Sequence, residues 1–232
     1  MILVRHGRTA ANADGVLAGR AAGISLDDLG RDQSAAVARR LAVLPLARLV
    51  TSPLQRTVQT AQAVAAAQVA PVALVRDKGF IECGYGAWTG RSLKELAKEP
   101  LWRTVQAHPS AVVFPDGEAM ADMMNRAVRA ARRHDAEVVA EHGDDAVWAA
   151  VSHGDVIKAV VADALGLHLD AFQRLVVSPA SICVVRYTGQ RPFVVHLNDT
   201  GADLSGLRPP ARRGRRRPGR RRGGDAPVGG GT

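Results

Sequence analysis

The chain has 232 residues, 47% of them hydrophobic but only 4% aromatic, with a formal net charge of +9. That allows one large domain or two small ones around a core of Ala, Val and Leu. Residues 208–232 hold nine Arg and one Asp, 9 − 1 = +8, which leaves 9 − 8 = +1 for residues 1–207, so the basic character belongs to the tail and not to the body.

Residues 1–4 are apolar and predict a first strand, ended by Arg5-His6-Gly7-Arg8. Residues 9–30 are polar and glycine-rich and read as a long loop. Ala, Val and Leu at helical spacing predict a helix over 30–44, closed by Pro45, and a second strand over 46–51. The next helix has stronger boundary marks. Ser52 suits the N-cap, Pro53 the first helical position and Gln55 the reciprocal capping-box position, with an Ala/Val-rich body to Gln68. Pro71 breaks it, and 72–76 reads as a short strand.

Residues 79–91 are too rich in glycine for a regular element, and a helix is expected from Ser92. A polar connection with Pro109 and Pro115 leads to Asp116-Gly117-Glu118 and a long helix ending near Gly143. Residues 146–152 form an apolar strand, 155–165 the helix after it, and 182–187 with 193–197 a closing hairpin across 188–190. This alternation predicts an α/β fold, a three-layer α/β/α sandwich with a largely parallel sheet. From Arg208 onward no apolar residue recurs at a useful spacing, so 1–207 is expected to fold as one domain and 208–232 to be a disordered tail.

Two cysteines, Cys83 and Cys183, are too few for a disulfide framework or a CxxC metal site, and a reducing cytoplasm is the simplest compartment. No stretch has the length of a membrane span, and the N-terminus lacks the charged leader and apolar core of a secretory signal.

Three of the chemically suggestive segments follow predicted strands: Arg5-His6 after the first, Arg56 in the turn after the second, and His153 after 146–152. In open α/β sheets ligands bind at the carboxyl edge, so parallel strands would bring all three together. Arginine forks suit the equatorial oxygens of a transferring phosphoryl group and could supply the positive charge that a metal supplies elsewhere. Donors from Gly7 to Asn12 could complete the cradle. Neighbouring guanidiniums favour a neutral imidazole, as an attacking His6 requires. Glu82 could protonate the leaving alkoxide and then activate water.

These segments together resemble the histidine phosphatase superfamily, also called the phosphoglycerate mutase-like family. Arg5-His6-Gly7-Arg8-Thr9 with Asn12 resembles its Arg-His-Gly-x-Thr-x-x-Asn signature, and residues 15–30 the loop after it. Ser52-Pro53-Leu54-Gln55-Arg56 with Gln59-Thr60-Ala61 resembles the second arginine motif. Glu82 with Gly86, Trp88 and Gly90 resembles the acid loop, and Ser152-His153-Gly154 the second histidine motif. The resemblance implies His6 as phosphoacceptor, Glu82 as proton donor, Arg5, Arg56 and His153 as phosphate ligands, and a phosphoglycerate mutase-like fold. Gly7, Thr9, Asn12 and Arg20 are further candidates for substrate binding.

A metal-independent phosphatase with no cofactor and a small phosphate monoester as partner is therefore expected. A phosphomutase using the same histidine is the alternative. Ala18, where the mutase branch has a hydroxyl residue, and the short segment 98–117 both favour hydrolysis. Ala119 stands where the phosphatase branch often has serine. A phospho-ligand binder without catalysis is a rival reading, against which the intact set of five residues argues. The arginine tail would give at most weak, salt-dependent contact with polyanions or nucleic acid, since no aromatic residue is interleaved to stack on bases. The remaining histidines (108, 134, 142, 168 and 196) have no partners at metal-ligand spacing, and Cys83 and Trp88 read as packing residues. Oligomeric state is open at this level.

Overall fold

The computed structural model describes residues 1–201, and the tail expected over 208–232 lies outside the described residues. Six strands form one sheet in the order β3-β2-β4-β1-β5-β6. They are β1 (Ile2–Arg5), β2 (Leu46–Thr51), β3 (Leu74–Arg76), β4 (Val147–Ser152), β5 (Ile182–Arg186) and β6 (Phe193–Asp199). β3, β2, β4 and β1 are mutually parallel, while β5 runs antiparallel to β1 and β6 antiparallel to β5.

Helices cover both faces. On one, α2 (Asp28–Leu41) and α3 (Gln55–Ala67) bring Val37, Leu41, Ala61 and Val64 into a cluster with Val4, Leu49, Ala149 and Val151. On the other, α6 (Met120–His142) and α7 (Gly154–Ala164) bring Met123, Ala127, Val156 and Val160 together with Leu3, Val50, Trp148 and Ala150. β4 lies between β2 and β1 and is covered on both sides, which accounts for its unalternating run Val147-Trp148-Ala149-Ala150-Val151.

Four elements differ from the sequence reading. Within the loop expected over 9–30, Thr9 and Asn12 exchange the two bonds of a capping box and fix a one-turn helix, α1 (Ala10–Ala13). Asp27 accepts from the Gly30 amide at 2.7 Å and starts α2 at Asp28, two residues early. Gly30 is therefore inside the first turn, where a Cβ would collide with the backbone of Arg8. Ser52 is not the N-cap of α3: that position is Leu54, with no side-chain cap, and the Ser52 hydroxyl turns to His153. The helical region expected from Ser92 is two helices, α4 (Leu93–Leu96), which Ser92 caps, and α5 (Pro100–Ala107).

Candidate active site

The register places the three strand ends side by side. Arg5 pairs with Ser152 and Thr51 with Val151, and the ladder runs one step further through His6 N to Ser152 O and Ser52 N to Val151 O, both at 3.0 Å. His6, Ser52 and His153 thus leave adjacent parallel strands at one carboxyl edge. Arg56 enters from the first turn of α3.

His6 is 3% exposed, and its Nδ1 lies 2.7 Å from the carbonyl of Gly7. A carbonyl only accepts, so Nδ1 carries the proton and Nε2 presents a lone pair. Arg56 donates to that lone pair from Nε at 3.2 Å, to the Gly19 carbonyl from Nη2 at 2.8 Å, and to Nδ1 of His153 from Nη2 at 3.2 Å. His153 must then carry its proton on Nε2, which donates to Ser52 Oγ at 2.8 Å. Burial holds His6 well below the ordinary histidine range, reinforced by the charges of Arg56 and Arg5. His153 is lowered likewise by burial, then by Arg56. The Nη1 of Arg56 is buried without a hydrogen-bond partner among the described residues, a donor left over for an incoming oxygen.

Arg5 is buried at the end of β1, does not line the cleft, and gives Nη1 to the Val177 carbonyl at 2.7 Å. Burial lowers its pKa to about 10, so it stays cationic at neutral pH.

Glu82 reaches the edge from the connection between β3 and α4. Phe80, buried, anchors that connection, and Ser152 Oγ donates to the Phe80 carbonyl at 2.8 Å. Glu82 Oε1 accepts from the Cys83 amide at 3.0 Å, and Oε2 lies 3.9 Å from Nδ1 of His153. Burial, helped by the nearby Asp155 carboxylate, raises its pKa to about 7 against the pull of Arg56 and Arg5. A carboxyl group at that value can give a proton near neutrality and take one back.

Glu118 and Arg126, together with the sequence candidate Arg20, hold the backbone at Glu82. Glu118 accepts from the Gly84 amide at 3.1 Å, from Arg20 at 2.7 Å and from Arg126 at 2.7 and 3.0 Å. The same two arginines donate to the Glu82 carbonyl, at 2.8 and 3.1 Å. Behind them, Tyr85 gives its hydroxyl proton to Asp155 Oδ2 at 2.6 Å, and the buried Lys158 lies 3.8 Å from Asp155 Oδ1. Burial pulls the Lys158 ammonium below the usual lysine range. Position would have found Asp155 and Lys158, since both lie on the helix that follows the second histidine motif.

The structure brings His6, Arg56 and Glu82 together in one cleft of about 410 Å³, its open mouth included. Thr9, Asn12 and Ala18 line the same cleft. Asn12 Oδ1 is also bound by the Thr9 amide and hydroxyl. Gly7 gives its amide to Thr60 Oγ1 at 3.1 Å and packs where a Cβ would meet Gly30 and Ser34. Arg20 lies in the adjoining depression, engaged with Glu118. Cys83 and Trp88 are core residues. Among the described residues no group of three or more His, Cys, Asp or Glu could hold a metal ion, and no helix is long and apolar enough to cross a membrane.

The family model described as the histidine phosphatase superfamily, branch 1, matches residues 1–200. The chain belongs to the histidine phosphatase superfamily. It is 31% identical over 204 residues to a bifunctional protein of Mycobacterium tuberculosis, covering 87% of this chain and 54% of that one, so it spans about half the length of the first curated relatives it matches. It is 30% identical over 206 residues to phosphoserine phosphatase 1 of Hydrogenobacter thermophilus, covering 86% of this chain and 92% of that one. The histidine phosphatase fold is shared with the solved mycobacterial glucosyl-3-phosphoglycerate phosphatase at a TM-score of 0.74 and 24% identity, over 86% of this chain and 98% of that chain.

Proposed function

We propose that this histidine phosphatase superfamily member is a metal-independent, cytoplasmic phosphatase that hydrolyses a small phosphate monoester through a phosphohistidine on His6. The observation that carries the reading is the Arg56 guanidinium, which bridges the unprotonated nitrogens of His6 and His153 and keeps a buried donor in reserve. A phosphoryl group entering between them takes over those donors. Arg5, Arg56 and His153 stabilise the charge on its oxygens, and the Asn12 side-chain amide is assigned to the rim, whereas Gly7 and Thr9, expected as donors, give theirs to Thr60 and Asn12 and shape the loop instead.

In the first step Nε2 of His6 forms a bond to phosphorus, the ester P–O bond breaks, and Glu82 gives its proton to the departing alkoxide. In the second step the Glu82 carboxylate takes a proton from water as the water oxygen attacks phosphorus. The N–P bond breaks, inorganic phosphate leaves, and both residues return to their starting states. Guanidinium charge supports the metal-independent reading. Residues 1–207 form the catalytic unit in this account, and deleting 208–232 leaves turnover within a few-fold. A phosphomutase would use the same first step and return the phosphoryl group to another hydroxyl. Ala18 on the cleft wall, with no hydroxyl to hold a second phosphate there, favours water as acceptor.

The test is phosphate release from p-nitrophenyl phosphate in EDTA by wild type and His6→Ala. Turnover that survives EDTA and vanishes in the variant is expected. Equal activity in both would contradict the assignment of His6.

A further inference from the structure

Beyond the groups assigned to phosphate and the proton-donating Glu82, the described lining residues of the cleft are uncharged. Ala11, Val16, Leu17, Ala18, Tyr85 and Leu93 line it, and among the described lining residues Arg56 is the one permanent cation. The nearby basic side chains have partners of their own. Arg20 pairs with Glu118 at 2.7 Å, Arg91 with Glu99 at 2.6 Å, and Arg8 with Asp27 at 2.8 Å. Lys94, next to Leu93 in sequence, is exposed and does not line the cleft. The adjoining depression sets Arg20 against both Asp116 and Glu118. A carboxylate or second phosphate on the leaving group would lose its hydration and meet no uncommitted cation among the described lining residues, since Arg20 of the adjoining depression is already held by Glu118.

Resting on the phosphatase reading, we propose that the substrate is the phosphate monoester of a neutral alcohol, with no carboxylate or second phosphate on the leaving group. The phosphate supplies the only anionic anchor, and Val16, Leu17 and Leu93 bury the carbon skeleton beside it. This separates the chain from phosphatases whose substrates carry an acid group next to the ester.

The experiment uses matched esters that differ at the carboxylate. Glycerol 3-phosphate is compared with 3-phosphoglycerate, and propyl phosphate with the phosphate ester of 3-hydroxypropionate, with p-nitrophenyl phosphate as the control for chemistry. Wild type is expected to show kcat/KM at least about tenfold higher for the member of each pair without the carboxylate, given the cost of an uncompensated charge. Leu93→Lys, whose stem can follow the apolar wall while its ammonium reaches the cleft, should narrow or reverse the preference. Ala18→Lys serves as the second variant if Leu93→Lys does not fold. Equal or faster turnover of the carboxylate-bearing member of either pair by wild type overturns the proposal and leaves the phosphatase reading intact. No turnover of any ester, the control included, overturns both.

Discussion

Nε of Arg56 donates to Nε2 of His6 at 3.2 Å, so in the resting site the arginine occupies the lone pair that must attack phosphorus. The contact aims the imidazole and disfavours its protonation, and the entering phosphoryl group takes the donor over. A lysine could supply the charge without the planar fork. Arg56→Lys is therefore expected to lower kcat/KM by roughly 10²–10³-fold, the range for removing one preorganised donor. Steady-state kinetics on an unactivated alkyl phosphate checks it, and a loss of only a few-fold would argue against the bridging role.

Glu82 sets the alkaline side of the pH profile. As the first-step acid it must be protonated, and with its pKa near 7 the rate on an alkyl phosphate should fall as pH rises through that value. His6, held below its ordinary range, places the acid limb below about pH 6.5. Glu82→Gln should cost about 10²–10⁴-fold on the alkyl ester, and much less for formation of the phosphoenzyme from p-nitrophenyl phosphate, whose leaving group needs no proton. Equal losses with both esters in single-turnover experiments would remove Glu82 from the acid role.

Glu118 acts through Glu82. It anchors the Gly84 amide, Arg20 and Arg126, which in turn hold the Glu82 carbonyl. Glu118→Ala should repeat the leaving-group dependence of Glu82→Gln in weaker form, about tenfold on the alkyl ester for a displaced acid. A purely structural role would lower both esters alike.

Acid stability depends on the same buried groups. Below about pH 6.5 the unfolded chain takes up protons on His6 and His153 more readily than the native site does, while between about pH 4.5 and 7 native Glu82 keeps a proton that the unfolded chain releases. The two histidines therefore lose stability as pH drops below about 6.5, while Glu82 acts in the opposite sense. Glu82→Gln removes the opposing proton and should steepen the fall by up to about 1.4 kcal/mol per unit. Denaturant unfolding at pH 5, 6 and 7 measures both slopes, and an unchanged slope in the variant would contradict the buried, protonated Glu82.

Gly30 is fixed by contact, since a Cβ there would collide with the Arg8 backbone, which cannot rotate away. Gly30→Ala should destabilise by about 1–3 kcal/mol, the usual cost of overpacking. A midpoint shift in urea measures it, and a neutral result would show that α2 can move away from the Arg-His-Gly segment.

Residues with a strong local signature were legible in the sequence. The apolar runs of β2 and β4 and their following helices appear within a residue or two of the expected bounds, and with them the convergence of His6, Arg56 and His153 on one edge. Ser52 was misread because its cap pattern is local, whereas the bond its hydroxyl makes is to His153, 101 residues away. Arg126 and Tyr85 escaped for the same reason, and so did the role of Glu118. Their meaning lies in long-range pairing that no periodicity encodes. The helix over Ala10–Ala13 was hidden because a single capping box, not an apolar stripe, holds it.

The most direct test of the account is to trap the enzyme during turnover. Wild type mixed with a ³²P-labelled alkyl phosphate and quenched in alkali should carry label that is stable in base, labile in acid, and mapped by peptide sequencing to His6. No label should be retained by His6→Ala, and Glu82→Gln should label faster with the aryl ester than with the alkyl one. Label on any other residue, or full turnover by His6→Ala, would contradict the phosphohistidine mechanism.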